Sequence, residues 1–362
     1  MILFILRRIG VMILTAICLT MIVFSLTNLR PNLEKIARTE AGSRITDEQV
    51  DTWLEARGYL EPMPLRYGQW LGVVPGWTTT AEDGTVSGYC NPAGTAPEDA
   101  VRYCGIIQGD WGYSRSSREE VLDVLVRRLE ATGVLMFWVL VVMIPSALII
   151  GILAGMREGS RTDRTLSTAS IAATATPEYV SAVLFIALFA SSSYGLSPVL
   201  REWGLIDRSI FLSGSARSAY SQGPTLMNFT LPVLTMALYG MGYIARMTRA
   251  SMAEVMTSQY IRTARLKGLN FRAIVVKHAL RNALIAPFTV IMLQIPWLLT
   301  GVVIVETIFS YPGFGATLVD AASNNDIELL MGISVIAVLV VLTTQLISDV
   351  GYVLLNPRIR IS

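Results

Sequence analysis

Lysine is nearly absent from this chain: among 362 residues only Lys35, Lys267 and Lys277 occur. None stands in a Gly-Lys-Ser/Thr phosphate loop, so the chain lacks the usual machinery for hydrolysing a nucleoside triphosphate. Histidine is scarcer still, with His278 alone, and cysteine stops at Cys18, Cys90 and Cys104. A single histidine without a thiol neighbour argues against a metal centre and against a nucleophile–histidine triad. No catalytic residue and no metal-ligating set is therefore expected. Charge as a whole is thin, 15% of residues against roughly 25% in soluble domains.

What fills the chain is apolar: 52% of residues are hydrophobic. Apolar runs near 9–29, 133–156, 168–192, 229–248, 283–305 and 329–355 each match the ~20 residues a bilayer-spanning helix needs. The expectation is an all-α integral membrane protein with six transmembrane helices. Pro145, Pro177 and Pro232 fall within or beside these runs and are compatible with them, because neighbouring helices re-satisfy the backbone groups a proline frees. The first run resembles a signal peptide in following Arg7 and Arg8. Its length exceeds a signal core of ~7–15 residues and no small-x-small cleavage site follows, which favours a retained anchor over 1–29.

Orientation follows from the basic residues. Segment 249–282 holds Arg249, Arg262, Arg265, Lys267, Arg272, Lys277 and Arg281 against the single acid Glu254, whereas 306–328 holds four acids and no base. Arg7 and Arg8 near one end, and Arg358 and Arg360 near the other, agree in sign. Both termini and the loops 157–167 and 249–282 are expected in the cytoplasm, in a multi-pass inner-membrane protein. The topology rule accounts for the basic loop without invoking nucleic acid, and no nucleic-acid partner is expected.

Segment 30–131 is the one long extramembrane stretch, with sixteen acids and eleven bases. Thr46-Asp-Glu-Gln49 is a capping-box pattern opening a helix that Gly58 closes. Ser117-Arg-Glu-Glu120 repeats the pattern and predicts a helix start leading into the second span. From 75 to 105, glycine, proline and threonine predict irregular loop. Cys90 and Cys104 lie there. On an oxidising face they favour a disulfide over free thiols or a metal. Glu178, beside Pro177 in the third run, is an ionisable group at membrane depth and so a candidate for lining a solute path. Gly151 and Gly155 form a small-xxx-small pair that permits close helix approach, or arise by chance among 28 glycines.

The most informative stretch runs from Tyr260 to Asn282. Lys267-Gly268 predicts a helix end with a left-handed glycine, and Asn270 a new helix start. Tyr260-Ile-Arg-Thr-Ala-Arg-Leu-Lys-Gly268 and His278-Ala-Leu-Arg-Asn282 resemble the cytoplasmic coupling loop of permease subunits in ATP-binding-cassette importers. The branch they resemble is the oligopeptide/dipeptide/nickel permeases. Leu231-Pro232, Ile244 to Ser251, Val305-Glu306-Thr-Ile-Phe-Ser-Tyr-Pro312-Gly313-Phe-Gly315 and the closing Ser348 to Arg360 are similar to the same pattern. The likeness is dense from about 229 onward and lapses near 75–105, where an insertion is expected. Arg262, Thr263 and Ala264 depart from the Glu-Ala-Ala of the wider superfamily, as is usual in the peptide branch.

The resemblance implies a type I ABC importer permease fold with an enlarged external segment between helices 1 and 2, and a core over 132–362. It implies a second homologous permease, two cytoplasmic ATPase subunits and an external solute-binding protein as partners in a lipid bilayer. ATP and Mg would be bound by the ATPase subunits, leaving this chain with no cofactor and no enzymatic step. Arg262, Thr263, Ala264, Arg265, Lys267, Gly268 and His278 would form the ATPase-coupling element. A stand-alone channel or secondary transporter is the main rival, but no self-similar halves are visible. A receptor using the external segment is another, and only the importer requires ATPases to co-purify.

Overall fold

The computed structural model describes residues 2–42, 44–82, 84–191, 193–207, 211 and 216–355. The closing motif from Asn356, with Arg358 and Arg360, lies outside the described residues. In chain order come α1 (Ile2–Thr27), α2 (Arg30–Glu40), α3 (Asp47–Glu55) and α4 (Met63–Leu71). The strands β1 (Thr78–Thr80), β2 (Val86–Gly88), β3 (Tyr113–Ser114) and β4 (Glu119–Glu120) follow. Next are α5 (Val121–Gly155), α6 (Arg161–Ala175), α7 (Glu178–Phe185), α8 (Leu196–Glu202), α9 (Ala216–Gln222) and α10 (Leu226–Met256). The chain continues through α11 (Gln259–Leu266), α12 (Phe271–Ala273), α13 (Leu280–Ala283), α14 (Ile285–Ile308), α15 (Phe314–Ser323) and α16 (Ile327–Leu355).

Three stretches among the described residues are long and apolar enough to cross a membrane unaided: Ile5–Thr27, Val121–Gly155 and Ile327–Gly351. Two bent pairs raise this to as many as five, α6 with the helix from Glu178 to Ala190 (103°) and Phe271–Ala283 with Ile285–Gln294 (51°). The sixth expected span is α10, 31 residues long but interrupted by Asn228, Thr235, Thr248 and other polar groups. Those three are buried in the fold, so α10 does not need the lipid-facing apolarity that marks α1. On α1, Leu6, Ile13, Leu14 and Ile22 are exposed, as a lipid-facing anchor requires.

The described residues form two compact units, 128–319 with 340–355, and 2–127 with 320–339. In the first, Leu135, Val139, Met143 and Ala147 make a fully buried stripe on α5, in one core with Met236, Ala237 and Ile244 of α10 and Leu298, Val302 and Val305 of α14. Close approach of α5 to α10 explains Gly151 and Gly155. A β-carbon at Gly155 would lie 2.6 Å from the Arg249 carbonyl and 2.7 Å from Met252 Cβ. The third expected span carries a sharp break at Pro177. Pro177 has no amide proton and disfavours helical geometry in the residue before it, and Thr176 is accordingly extended at φ −83°, ψ 119°.

Beyond α14, the Glu306 to Gly315 segment folds around a buried carboxylate. Thr132 Oγ1 donates to Glu306 Oε1 at 2.5 Å and accepts from the Phe314 amide at 2.8 Å. The Ala316 amide donates to Glu306 Oε2 at 2.9 Å, and Glu306 is fully buried.

The second unit is built on Phe24, Leu33, Ile36, Val50, Leu54, Tyr67 and Trp70, joined by Ile327 and Met331. Phe24, Tyr67 and Trp70 form a triangle of rings with centroids 5.5–5.7 Å apart. The Thr46–Gln49 capping box forms as expected, opening α3. The second expected box does not. Ser117-Arg-Glu-Glu120 makes a hairpin turn and strand β4, with Arg118 at φ +57°. Asp326 explains this, since its Oδ2 accepts from Ser114 Oγ, the Ser116 amide and Ser116 Oγ at 2.8–3.0 Å. The helix begins instead at Val121, whose amide bonds the Gly112 carbonyl. Stretch 75–105 also contains the short antiparallel ladder of β1 and β2. Cys90 and Cys104 are joined there with their Cα atoms 5.6 Å apart.

Candidate functional site

The loop after α10 is a rigid platform. Ile261 and Ala264 of α11 are buried with Met252, Met256, Ile274, Val275, Ala279 and Ala283 in a separate apolar cluster. This anchoring turns Arg262, Thr263 and Arg265 outward, with Leu266, Lys267 and Gly268 exposed beyond them. Ala264 is a packing residue, 6% exposed, and is not on the outer face with the others. Helix α11 ends in a Schellman arrangement, with the Gly268 amide on the Arg265 carbonyl (3.0 Å) and the Leu269 amide on the Ala264 carbonyl (3.3 Å). Gly268 takes φ +74° with open space around it, so backbone conformation alone demands glycine there. Asn270 Oδ1 then accepts from the Ala273 amide at 2.8 Å and starts the next helix.

His278 and Lys277 lie on a π-helical turn, Ile274–Ala279, with both side chains exposed. Asn282 Nδ2 donates to the Tyr260 hydroxyl at 3.0 Å, and Ser251 Oγ to the Ala283 carbonyl at 2.8 Å, closing the loop on itself. Arg249, one of the basic residues of this segment, is held by an acid. Its Nε and Nη2 make a forked pair with Asp163 at 2.9 and 2.8 Å, while the Gly159 amide and Ser167 hydroxyl donate to the same carboxylate. Asp163 is 3% exposed. The pair fixes the turn between α5 and α6 to α10.

Charge counting missed the apolar part of this face. Leu266 is 82% exposed, and Tyr260, Leu269 and Phe271 are exposed with it. A leucine so open beside a ring of basic groups has the composition of a contact surface. Its signal in the sequence was the 3.6-residue period, which puts Ile261 and Ala264 inward and Leu266 out.

Glu178 stands at the start of α7, directly after the Pro177 break, and its Oε1 is buried without a hydrogen-bond partner among the described residues. Sequence reading overlooked a second polar group, on α10 and α14. Tyr239 stacks on Trp297 at 4.4 Å, and these rings with Tyr243 and Gln294 line a cavity of about 140 Å³. Gln294 Nε2 is buried there without a hydrogen-bond partner among the described residues. Spacings of four between the tyrosines and three between Gln294 and Trp297 were the available signal. Residues 260–282 and these groups belong to one compact unit. Among the described residues no cluster of His, Cys, Asp or Glu has metal-binding geometry.

Comparison with known proteins gives this arrangement a family. Residues 147–361 match the model for the binding-protein-dependent transport system inner membrane component. The di/tripeptide transport system permease protein of Pseudomonas aeruginosa is 32% identical over 366 residues, covering 99% of this chain and 98% of that one. The dipeptide transport system permease protein of Escherichia coli is 30% identical with the same coverage. A probable peptide ABC transporter permease of Sinorhizobium fredii is 29% identical over 99% of both chains. A solved amino acid ABC transporter with histidines covers 64% of this chain and 94% of its own at 15% identity and TM-score 0.45, a likeness on which no argument rests here. On the family match and the full-length relatives, this chain belongs to the binding-protein-dependent inner-membrane transport components and is a transmembrane ABC importer permease of the oligopeptide/dipeptide family.

Proposed function

We propose that the chain forms half of a membrane pathway for short peptides, paired with a second, similar permease and driven by two cytoplasmic ATPases through loop 249–282. The observation that carries the reading is the face of α11. Arg262, Thr263, Arg265 and Lys267 surround the open Leu266, on a helix pinned from beneath by Ile261 and Ala264. Such a face suits an acidic groove with an apolar floor, because rim charges steer and orient a partner while a desolvated apolar centre holds it. ATP and Mg belong to the partner subunits in this reading. His278, exposed on the same loop, completes the docking surface. Both termini share the cytoplasmic side with it.

Transmission follows from stiffness. The capped turn at Gly268, the closure of Asn282 on Tyr260 and the Arg249–Asp163 fork leave the loop little freedom to absorb a push. A displacement of the ATPase groove is then passed to α10 and α14, where Gln294 and the Tyr239–Trp297 pair line the path together with Glu178. The external segment 30–131 receives the solute-binding protein. Short peptides are the solute class in keeping with the names of the relatives.

Purification of the tagged chain from membranes, with mass spectrometry of what accompanies it, tests the reading together with dipeptide uptake in reconstituted vesicles. Stoichiometric ATPases, a second permease and ATP-dependent uptake are expected. A chain that purifies alone and conducts peptide without ATP contradicts it.

A further inference from the structure

The unit made of residues 2–127 and 320–339 contains a cavity of about 380 Å³, within the ~300–1,000 Å³ usual for small-molecule sites. Its walls are aromatic and charged together, with Trp70, Trp77, Tyr89 and Trp111 beside Arg66 and Glu328. Arg66 is the unusual member. It is only 8% exposed, and no described carboxylate is paired with it. Among the described residues its one hydrogen-bond partner is Asn28, whose Oδ1 accepts from Nη2. Its guanidinium carbon lies 5.2 Å from the Tyr59 ring centroid and 5.7 Å from that of Phe24.

A buried charge without a counter-charge is costly, and proteins normally pair it. Burial pulls the Arg66 guanidinium below its ordinary value, and only Tyr59 and Tyr89 work against that shift. The acids of the cavity are engaged elsewhere. Glu40 pairs with Arg115 at 2.8 Å, Asp110 Oδ1 accepts from the Gly112 amide at 3.1 Å, and Glu328 Oε2 accepts from the Tyr113 amide at 2.6 Å. Asn28 is itself fixed, donating from Nδ2 to the Phe24 carbonyl at 2.9 Å. The guanidinium is thus held by its neighbours while no described residue takes its remaining donors, the geometry in which arginine takes a carboxylate through two parallel bonds.

We propose that this cavity binds the free carboxylate of a short peptide, with Arg66 as the anion receptor and the tryptophans as the side-chain wall. The inference rests on the peptide-importer reading. It adds a second solute site, on the permease's own external unit, where peptide is held before or during transfer to the membrane path.

The test uses the full complex in lipid nanodiscs, following tryptophan fluorescence while alanyl-phenylalanine or its C-terminal amide is added, with uptake of alanyl-phenylalanine measured in parallel. The free dipeptide should bind saturably, the amide at least tenfold more weakly, and Arg66→Gln should abolish the difference while Arg66→Lys restores part of it. Protection of Cys90 and Cys104 from alkylation reports that each variant keeps its external fold. Equal binding of acid and amide by the unaltered complex overturns the site without recourse to any variant. So does absence of binding in a complex that still transports the dipeptide, which leaves the importer reading intact. Binding that discriminates acid from amide in a complex that transports no peptide supports the site and contradicts the importer reading instead.

Discussion

Glu306 is a carboxylate with no exposed surface, held by the Ala316 amide on one oxygen and the Thr132 hydroxyl on the other. Thr132 donates to the carboxylate and accepts from the Phe314 amide. Replacing it by valine keeps the shape but strands the buried Oε1 acceptor and the part-buried Phe314 amide. The expected cost is about 2–3 kcal/mol, since each stranded buried group forfeits its full desolvation penalty. Thermal unfolding of the purified protein should show a clear drop in midpoint for Thr132→Val, with Thr132→Ser near the unaltered value. An unchanged midpoint for Thr132→Val contradicts the role given to this hydroxyl. Nothing in the sequence announced the contact, because Thr132 and Glu306 are 174 residues apart. Gly268 is the opposite case. Its left-handed conformation follows from Lys-Gly at the end of a periodic helix, a local rule that needs no partner.

Among elements, those governed by local chemistry were legible and those governed by distant partners were not. The box at Thr46 formed because its two hydrogen bonds lie within four residues. The same pattern at Ser117 failed because Asp326, far along the chain, offered three hydrogen bonds that the helix start did not. The third span breaks at Pro177, a proline visible in the run, though the 103° bend was not. The outward leucine of α11 was hidden by attention to charge. The staple between Cys90 and Cys104 is an element-scale feature as well. It closes a loop of about fifteen residues, worth roughly 3 kcal/mol in the chain-entropy model. Alkylation of native membranes should leave both thiols unlabelled, with labelling of both after unfolding and reduction. Labelling of both without reductant contradicts an oxidised bond on the outer face.

At the scale of the whole molecule the family is established by the match over 147–361 and by relatives that align from end to end, and the proposal concerns how the chain is driven. Its central claim is that α11 and the Gly268 turn are where ATPase force enters. Valine at Gly268 must adopt a backbone conformation that β-branched residues strongly disfavour, which misplaces α11 while leaving the spans untouched. Glutamate at Arg262 reverses a charge on the docking face without touching the buried anchor at Ile261. The most direct measurement is the amount of ATPase retained on purified complexes carrying Gly268→Val or Arg262→Glu, read beside peptide uptake. The account predicts normal insertion and normal pairing with the second permease, with ATPase retention and uptake both falling at least tenfold. Full retention with undiminished uptake in both variants would contradict it.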